Sequence, residues 1–178
     1  MALKSTIYKA ELSIADMDRN YYNTHQLTLA RHPSETDERL MIRVLAFAIH
    51  ADEALVNAKG LSDTEEPDLW QKDLTGAIQL WIEIGQPDDK RLLKAAGRSE
   101  QVMVYSYAAT SHVWWKQLAN KIDRAKNVSV INIPAEASAA LEKMAQRSMQ
   151  LQCTIQDSQI WLTDGTETVL VERETLKA

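Results

Sequence analysis

The chain has 178 residues, 45% hydrophobic and 25% charged, with a formal net charge of −5; that size supports one domain spanning 1–178, and that charge argues against a protein coated in nucleic acid. No apolar run approaches the ~20 residues of a membrane span, and Met1–Tyr8 lacks signal-peptide architecture, so no membrane association is expected. Cys153 is the only cysteine, which excludes an internal disulfide and a thiolate zinc site and points to a reducing, cytoplasmic setting.

Residues 5–14 alternate, with Tyr8, Ala10, Leu12 and Ile14 on one face, and predict a half-buried strand; after a polar turn at 16–20, residues 21–31 complete an antiparallel hairpin. Ser34 is a plausible N-cap for a helix over 34–51, with Leu40, Met41, Val44, Leu45 and Ala48 on one face. A short strand around Leu55-Val56 follows. Residues 69–74 and 77–85 read as strands joined at Thr75-Gly76. Pro87-Asp88-Asp89 opens a helix to about Gly97, where acids suit the helix N-terminus. Strand 102–108, helix 111–122 and strand 128–133, stopped by Pro134, come next. The Ala-rich stretch 135–149 predicts a helix. Residues 151–162 suggest strand segments with a turn at 156–158, and Asp164-Gly165 turns into a last strand over 168–172. Strands 77–85, 102–108 and 128–133, separated by helices, suggest crossover connections and parallel pairing. The fold class is therefore α/β: a mixed sheet flanked by helices, with antiparallel hairpins at both ends of the chain.

Charge is unevenly spread. Residues 60–89 hold eight acids and one base, Lys72, whereas 90–126 hold eight bases and two acids. Acids that grip a cation beside bases that grip phosphates would suit a metal-dependent phosphodiesterase; solvated helix faces of opposite sign give the same composition.

The window 60–88 also concentrates glycine, proline and tryptophan. If Thr75-Gly76 is a two-residue hairpin turn, 72 pairs with 79, Trp70 with Trp81, and Asp68 with Glu83. Carboxylates that close repel, and need a proton, a cationic side chain or a metal ion between them. Gln79, Trp81, Glu83 and Gly85 share one strand face, which puts Glu83 among large apolar neighbours, an expensive place for an unpartnered charge. Lys72, Arg91 or Lys94 could pair with it. Arg91, Lys94 and Arg98 form one stripe on the following helix, either an exposed face or a phosphate-binding row.

The layout of helix, strand, Pro67-Asp68 strand, Glu83-bearing strand, helix and strand resembles the PD-(D/E)XK nuclease core. More closely, Glu66-Pro-Asp-Leu-Trp, Trp81-Ile-Glu-Ile-Gly-Gln-Pro-Asp, Val104-Tyr-Ser-Tyr and His32-Pro-Ser-Glu-Thr-Asp-Glu-Arg39 resemble the bacterial YaeQ family along the whole chain. The resemblance implies a variant PD-(D/E)XK (restriction-endonuclease-like) fold. It implies Mg²⁺ or Mn²⁺ held by Asp68 and Glu83, with Glu38 from the 34–51 helix as a further ligand or simply a helix-terminus acid. DNA or RNA would be the substrate, with Arg91, Lys94 and Arg98 on its phosphates. Glu53, Asp63 and Glu66 are possible further ligands.

One departure matters. The motif's lysine, two residues after the acid, positions the attacking water; here that position is Gly85. Gln86, brought round by a bulge at Gly85, or Lys94, or Lys72 could substitute. A domain that has lost catalysis and binds nucleic acid or a protein partner is the competing expectation. Trp114-Trp115 could stack bases or fill the core, and Tyr105 and Tyr107 could flank the site or pack inside. The four histidines show no metal-ligand spacing, and there is no nucleotide-binding glycine loop or serine-hydrolase elbow.

Overall fold

Two kinds of period organise the chain, and the computed structural model, which describes residues 4–178, shows where each prevails. In order, the elements are β1 (Thr6–Asp16), β2 (Tyr21–Arg31), α1 (Asp37–His50), β3 (Leu55–Asn57), β4 (Leu69–Lys72) and β5 (Ile78–Ile84). They continue with α2 (Asp89–Arg98), β6 (Ser99–Ser106), α3 (Ser111–Leu118), β7 (Val128–Asn132) and α4 (Ala135–Glu142). β8 (Ser148–Gln156), β9 (Gln159–Thr163), β10 (Thr168–Val171) and β11 (Glu174–Lys177) complete the chain. The result is a mixed α/β fold with two mixed sheets flanked by helices. The single mixed sheet expected from the sequence is thus corrected to two, because β1 pairs with β2 and β8 and not with the β5–β7 strands. The chain divides into two compact units: the described part of Met1–Ile49 with Glu136–Arg173, and His50–Ala135 with Glu174–Ala178.

In the first unit, β1 and β2 pair antiparallel from Thr6↔Arg31 to Asp16↔Tyr21, as the alternation predicted. Tyr8, Ala10, Leu12 and Ile14 are buried. α1 starts at Asp37 because Thr36, not Ser34, caps it. The Thr36 hydroxyl accepts the Arg39 amide at 3.1 Å, while Ser34 bonds the His32 ring. Every α1 residue from Leu40 to Ile49 is buried, so the helix is covered all round and not on one face alone. The helix expected over 135–149 stops at Glu142. Met149, Leu151, Cys153 and Ile155 then alternate inward, and that period of two puts Ser148–Gln156 in a strand parallel to β1. β8 turns into β9 through Asp157 and Ser158, both at positive φ (53° and 64°). The Asp18 carboxylate accepts both their amides, at 2.8 and 2.9 Å, and so holds that unusual turn. The strand order is β10-β9-β8-β1-β2.

The second unit has the order β11-β7-β6-β5-β4-β3. β5, β6 and β7 are parallel, as the alternating strands and helices suggested, and the flanking pairs are antiparallel. Trp81, Leu92, Ala95, Val102, Val104 and Leu118 meet in one core, so residues of α2 and α3 pack against the Trp81 side of the sheet. No helix among the described residues is long and apolar enough to cross a membrane.

Candidate functional site

The β4–β5 hairpin builds the site. Leu69 pairs with Ile82 and Trp70 with Trp81, whose rings meet edge to face at 6.1 Å. The paired register ends at Leu69, and just before it the Asp68 amide donates to the Ile82 carbonyl at 3.1 Å; Asp68 is close enough for its charge to act on Glu83. The expected two-residue turn is not what closes the hairpin. Lys72 pairs with Ile78 and not with Gln79, after a register shift. The loop is wound about Asp73, whose Oδ1 accepts the Thr75 and Ala77 amides (2.8 and 3.0 Å) and the Thr75 hydroxyl (2.6 Å). Aspartate is the better anchor for such a loop, since its short side chain reaches backbone amides two and four residues on.

Both carboxylates are buried, Asp68 at 2% and Glu83 at 4% exposure. Asp68 Oδ2 accepts the Ile84 amide at 2.9 Å. Its Oδ1 lies so close to Gly60 that a Cβ there would approach to 2.6 Å, and Gly60 has φ +51°. Glycine is therefore needed twice over: for its backbone conformation and for the space Asp68 takes. Glu83 Oε1 accepts the Trp81 indole N–H and the Arg91 Nε–H, each at 2.8 Å. Its Oε2 accepts no hydrogen bond from the described residues. Burial, and then the charge of Asp68, push the Glu83 carboxyl up to about 7, against the opposing pull of Arg91 and the indole.

Arg91 is more than a counter-ion. Its Nη1 and Nη2 donate to the Thr64 and Glu66 carbonyls, both at 2.9 Å, so one guanidinium ties the 60–68 loop to α2 and Glu83. α2 presents it there because Asp88 caps the helix, accepting the Arg91 amide at 2.8 Å. Lys94 and Arg98, one and two turns along, reach Glu65 instead. Lys72 lies 3.8 Å above the Trp70 ring. Gln86 donates to the Thr110 hydroxyl at 2.8 Å. Gly85 has φ +111° and bonds back to the Tyr105 carbonyl at 2.9 Å. The site thus brings together Asp68, Glu83 and Arg91, while Lys94, Arg98, Lys72 and Gln86 make their contacts elsewhere.

The other named residues fall as follows. Glu38, in the first turn of α1, belongs to the first unit and accepts the Ser138 hydroxyl at 2.9 Å. Asp63 and Glu66 each face Lys59 at 3.8 Å, and Glu53 is exposed. Trp114 and Trp115 are half-buried against the core, and the Trp114 indole donates to the Pro87 carbonyl. Tyr105 is buried, with its hydroxyl 2.5 Å from the His50 ring. Glu65 was not singled out from the sequence. It is one acid among eight in its window, and only the fold shows it facing Lys94 and Arg98.

The family model for the YaeQ protein matches residues 1–173. This chain belongs to the YaeQ family. It is 43% identical over 173 residues to the "Uncharacterized protein YaeQ" of Salmonella typhi, covering 97% of this chain and 96% of that one. It is 45% identical over 165 residues to that of Escherichia coli (strain K12), covering 92% and 91%. Among solved structures, the YaeQ protein of Xanthomonas axonopodis pv. citri matches with a TM-score of 0.93 at 45% identity, over 98% of this chain and 99% of that one. That of Pseudomonas syringae matches with a TM-score of 0.94 at 36% identity, over 98% and 97%.

Within this YaeQ-family chain, no group of three or more His, Cys, Asp or Glu among the described residues comes together as a ready-made metal cage. The available donor set is the Asp68–Glu83 pair. Magnesium commonly uses only one or two carboxylates and completes its shell with water and substrate phosphate, so this pair fits that ion better than calcium or zinc.

Proposed function

We propose that the chain is a cytoplasmic metal-dependent nuclease or related phosphodiesterase acting on nucleic acid, built on a variant PD-(D/E)XK nuclease-like core. The observation that carries this reading is the open Oε2 of a buried glutamate, Glu83, set beside the buried Asp68. Asp68 and Glu83 would hold Mg²⁺ or Mn²⁺, which when bound polarises a phosphoryl oxygen and lowers the pKa of its water. Around it, Arg91 and the Trp81 indole fix the Glu83 carboxylate through Oε1 and leave Oε2 without a hydrogen bond from the described residues. Gly60 lets the Asp68 carboxylate lie against the loop. The Glu83 carboxyl, pushed up to about 7, is an acid or base poised near neutral pH until a cation draws its proton off.

A second reading is favoured by a different observation. Among the described residues Arg91 is the one base that touches Glu83; Lys94, Lys72 and Gln86 are each engaged with other groups. With Gly85 at the motif's lysine position, the domain would bind nucleic acid or a protein partner without turnover. Incubation with single- and double-stranded DNA and RNA in Mg²⁺ or Mn²⁺ separates the two. Cleavage abolished by Asp68→Ala supports the enzyme. No cleavage, or cleavage unchanged in Asp68→Ala, overturns it; calorimetry with Mn²⁺ on Glu83→Ala then tells whether the pair binds metal at all.

A further inference from the structure

Lys90, Lys94 and Arg98 recur every fourth residue on α2, so they climb one helix face in steps of about 6 Å. That step is comparable with the distance between successive phosphates on an extended single strand. The three border an open cleft of about 390 Å³ whose rim includes Thr64, Glu65 and Trp81. Arg98 is steadied there by its guanidinium, 5.1 Å from the Trp81 ring centre.

An anion already occupies this row. Lys94 Nζ donates to both Glu65 carboxylate oxygens, at 2.8 and 2.9 Å, and Arg98 Nη1 lies 3.6 Å from one of them. The backbone of Glu65 is held independently of that carboxylate. Arg98 donates to its carbonyl at 3.0 Å, its amide donates to Asp63 at 2.7 Å, and Arg91 holds the carbonyls on either side. The carboxylate can therefore swing away while the loop stays in place. Its side chain is 59% exposed and that of Lys94 57%, so the ion pair is a weak, salt-screened one that a stronger polyanion displaces.

We infer that Glu65 is an intramolecular stand-in for a nucleic-acid phosphate: it occupies Lys94 and Arg98 in the free protein, and a single strand bound along α2 displaces it. The alternative of a lone free phosphate does not use the periodic row, whereas a strand engages Lys90, Lys94 and Arg98 together. Because the bound form must first release Glu65, apparent affinity is lowered by that competition. The inference rests on the nucleic-acid-binding part of the proposed function and not on turnover.

Fluorescence anisotropy with a labelled oligothymidylate, at low salt and in EDTA, tests it. Glu65→Gln is expected to bind about 5-fold more tightly than the unmodified chain. Asp123→Asn removes the same charge from an exposed position outside the cleft and is expected to change little. Adding Lys94→Gln to Glu65→Gln should cancel the gain and flatten the salt dependence by about 0.7 in log–log slope. Glu65→Gln binding no tighter than Asp123→Asn overturns the inference. So does a gain that survives Lys94→Gln, or an absence of binding by both the unmodified chain and Glu65→Gln. Absence of cleavage in Mn²⁺ together with the expected binding pattern would remove the enzymatic reading alone.

Discussion

Replacing Glu83 by glutamine isolates the site's electrostatics. The glutamine oxygen can still accept from the Trp81 indole and Arg91, so packing is retained while titration is lost. In the folded protein the Glu83 carboxyl is raised from its ordinary 4.5 to about 7, chiefly by burial and then by Asp68. A raised carboxyl pKa means the folded state holds a proton that the unfolded state has released. Stability is therefore unaffected below pH 4.5, falls as pH rises towards 7, and stays reduced above it. At about 1.4 kcal/mol for each tenfold change in proton affinity, that interval corresponds to about 3 kcal/mol. Urea unfolding of both forms in EDTA, from pH 4.5 to 8.5, should show the native chain losing about 3 kcal/mol relative to Glu83→Gln across this window. Mn²⁺ at pH 8 should restore much of that loss in the native chain alone, because a cation binds the ionised pair. Parallel pH profiles for the two forms would refute the account of Glu83 as a buried carboxylate strained by its neighbours.

Arg91→Met removes the one base among the described residues that bonds Glu83, together with the donors to Thr64 and Glu66; a destabilisation of about 2–4 kcal/mol is expected by urea unfolding, and a loss below 1 kcal/mol would show the clamp to be idle. Gly60→Ala forces a Cβ towards Asp68 at φ +51°, so about 1–3 kcal/mol of stability should be lost and calorimetric Mn²⁺ binding weakened. Cys153 is buried, and burial pushes its thiol up to about 12; thiol titration should label it slowly in the native protein and rapidly in denaturant, and fast native labelling would contradict its placement.

Strand pairing was legible wherever side chains alternate over a long run. The β1–β2 hairpin follows from the alternation of Tyr8, Ala10, Leu12 and Ile14 with the polar turn at 16–20 and the strand after it, and the Trp70–Trp81 pair follows from counting back from the turn. That pair survives although the two-residue turn does not, because the register shift lies between Gln71 and Lys72, on the turn side of the tryptophans; the expected Asp68–Glu83 pair lies beyond Leu69, where the paired register ends. What periodicity cannot show is what covers a face. The spacing of Arg91, Lys94 and Arg98 put them on one stripe but could not say that Arg91 turns to Glu83 while the other two turn to Glu65. β11 escaped because four residues, Glu174–Lys177, carry no run of their own; they become a strand only through the exposed edge of β7. The end of α4 escaped because alanine favours helix on either side of Glu142, and the burial of Met149 and Leu151 decides against it.

Gly85, where the proposed nuclease-like core would carry a lysine, can be judged from its backbone. A Cβ at Gly85 would meet nothing within 4 Å, so space is not what keeps a side chain out. Conformation is: φ is +111°, a region that L-residues rarely adopt, and the Gly85 amide is committed to the Tyr105 carbonyl. Introducing a lysine by Gly85→Lys should therefore cost about 1–3 kcal/mol in urea unfolding and give no gain in cleavage of DNA or RNA with Mn²⁺. The absence of lysine here is then a property of how β5 ends and not of one lost side chain. A catalytic role for this site must be met by groups that approach Glu83 from elsewhere. A Gly85→Lys protein as stable as the original, with new or faster Mn²⁺-dependent cleavage, would show instead that the strand end adapts freely and that the lysine alone was missing.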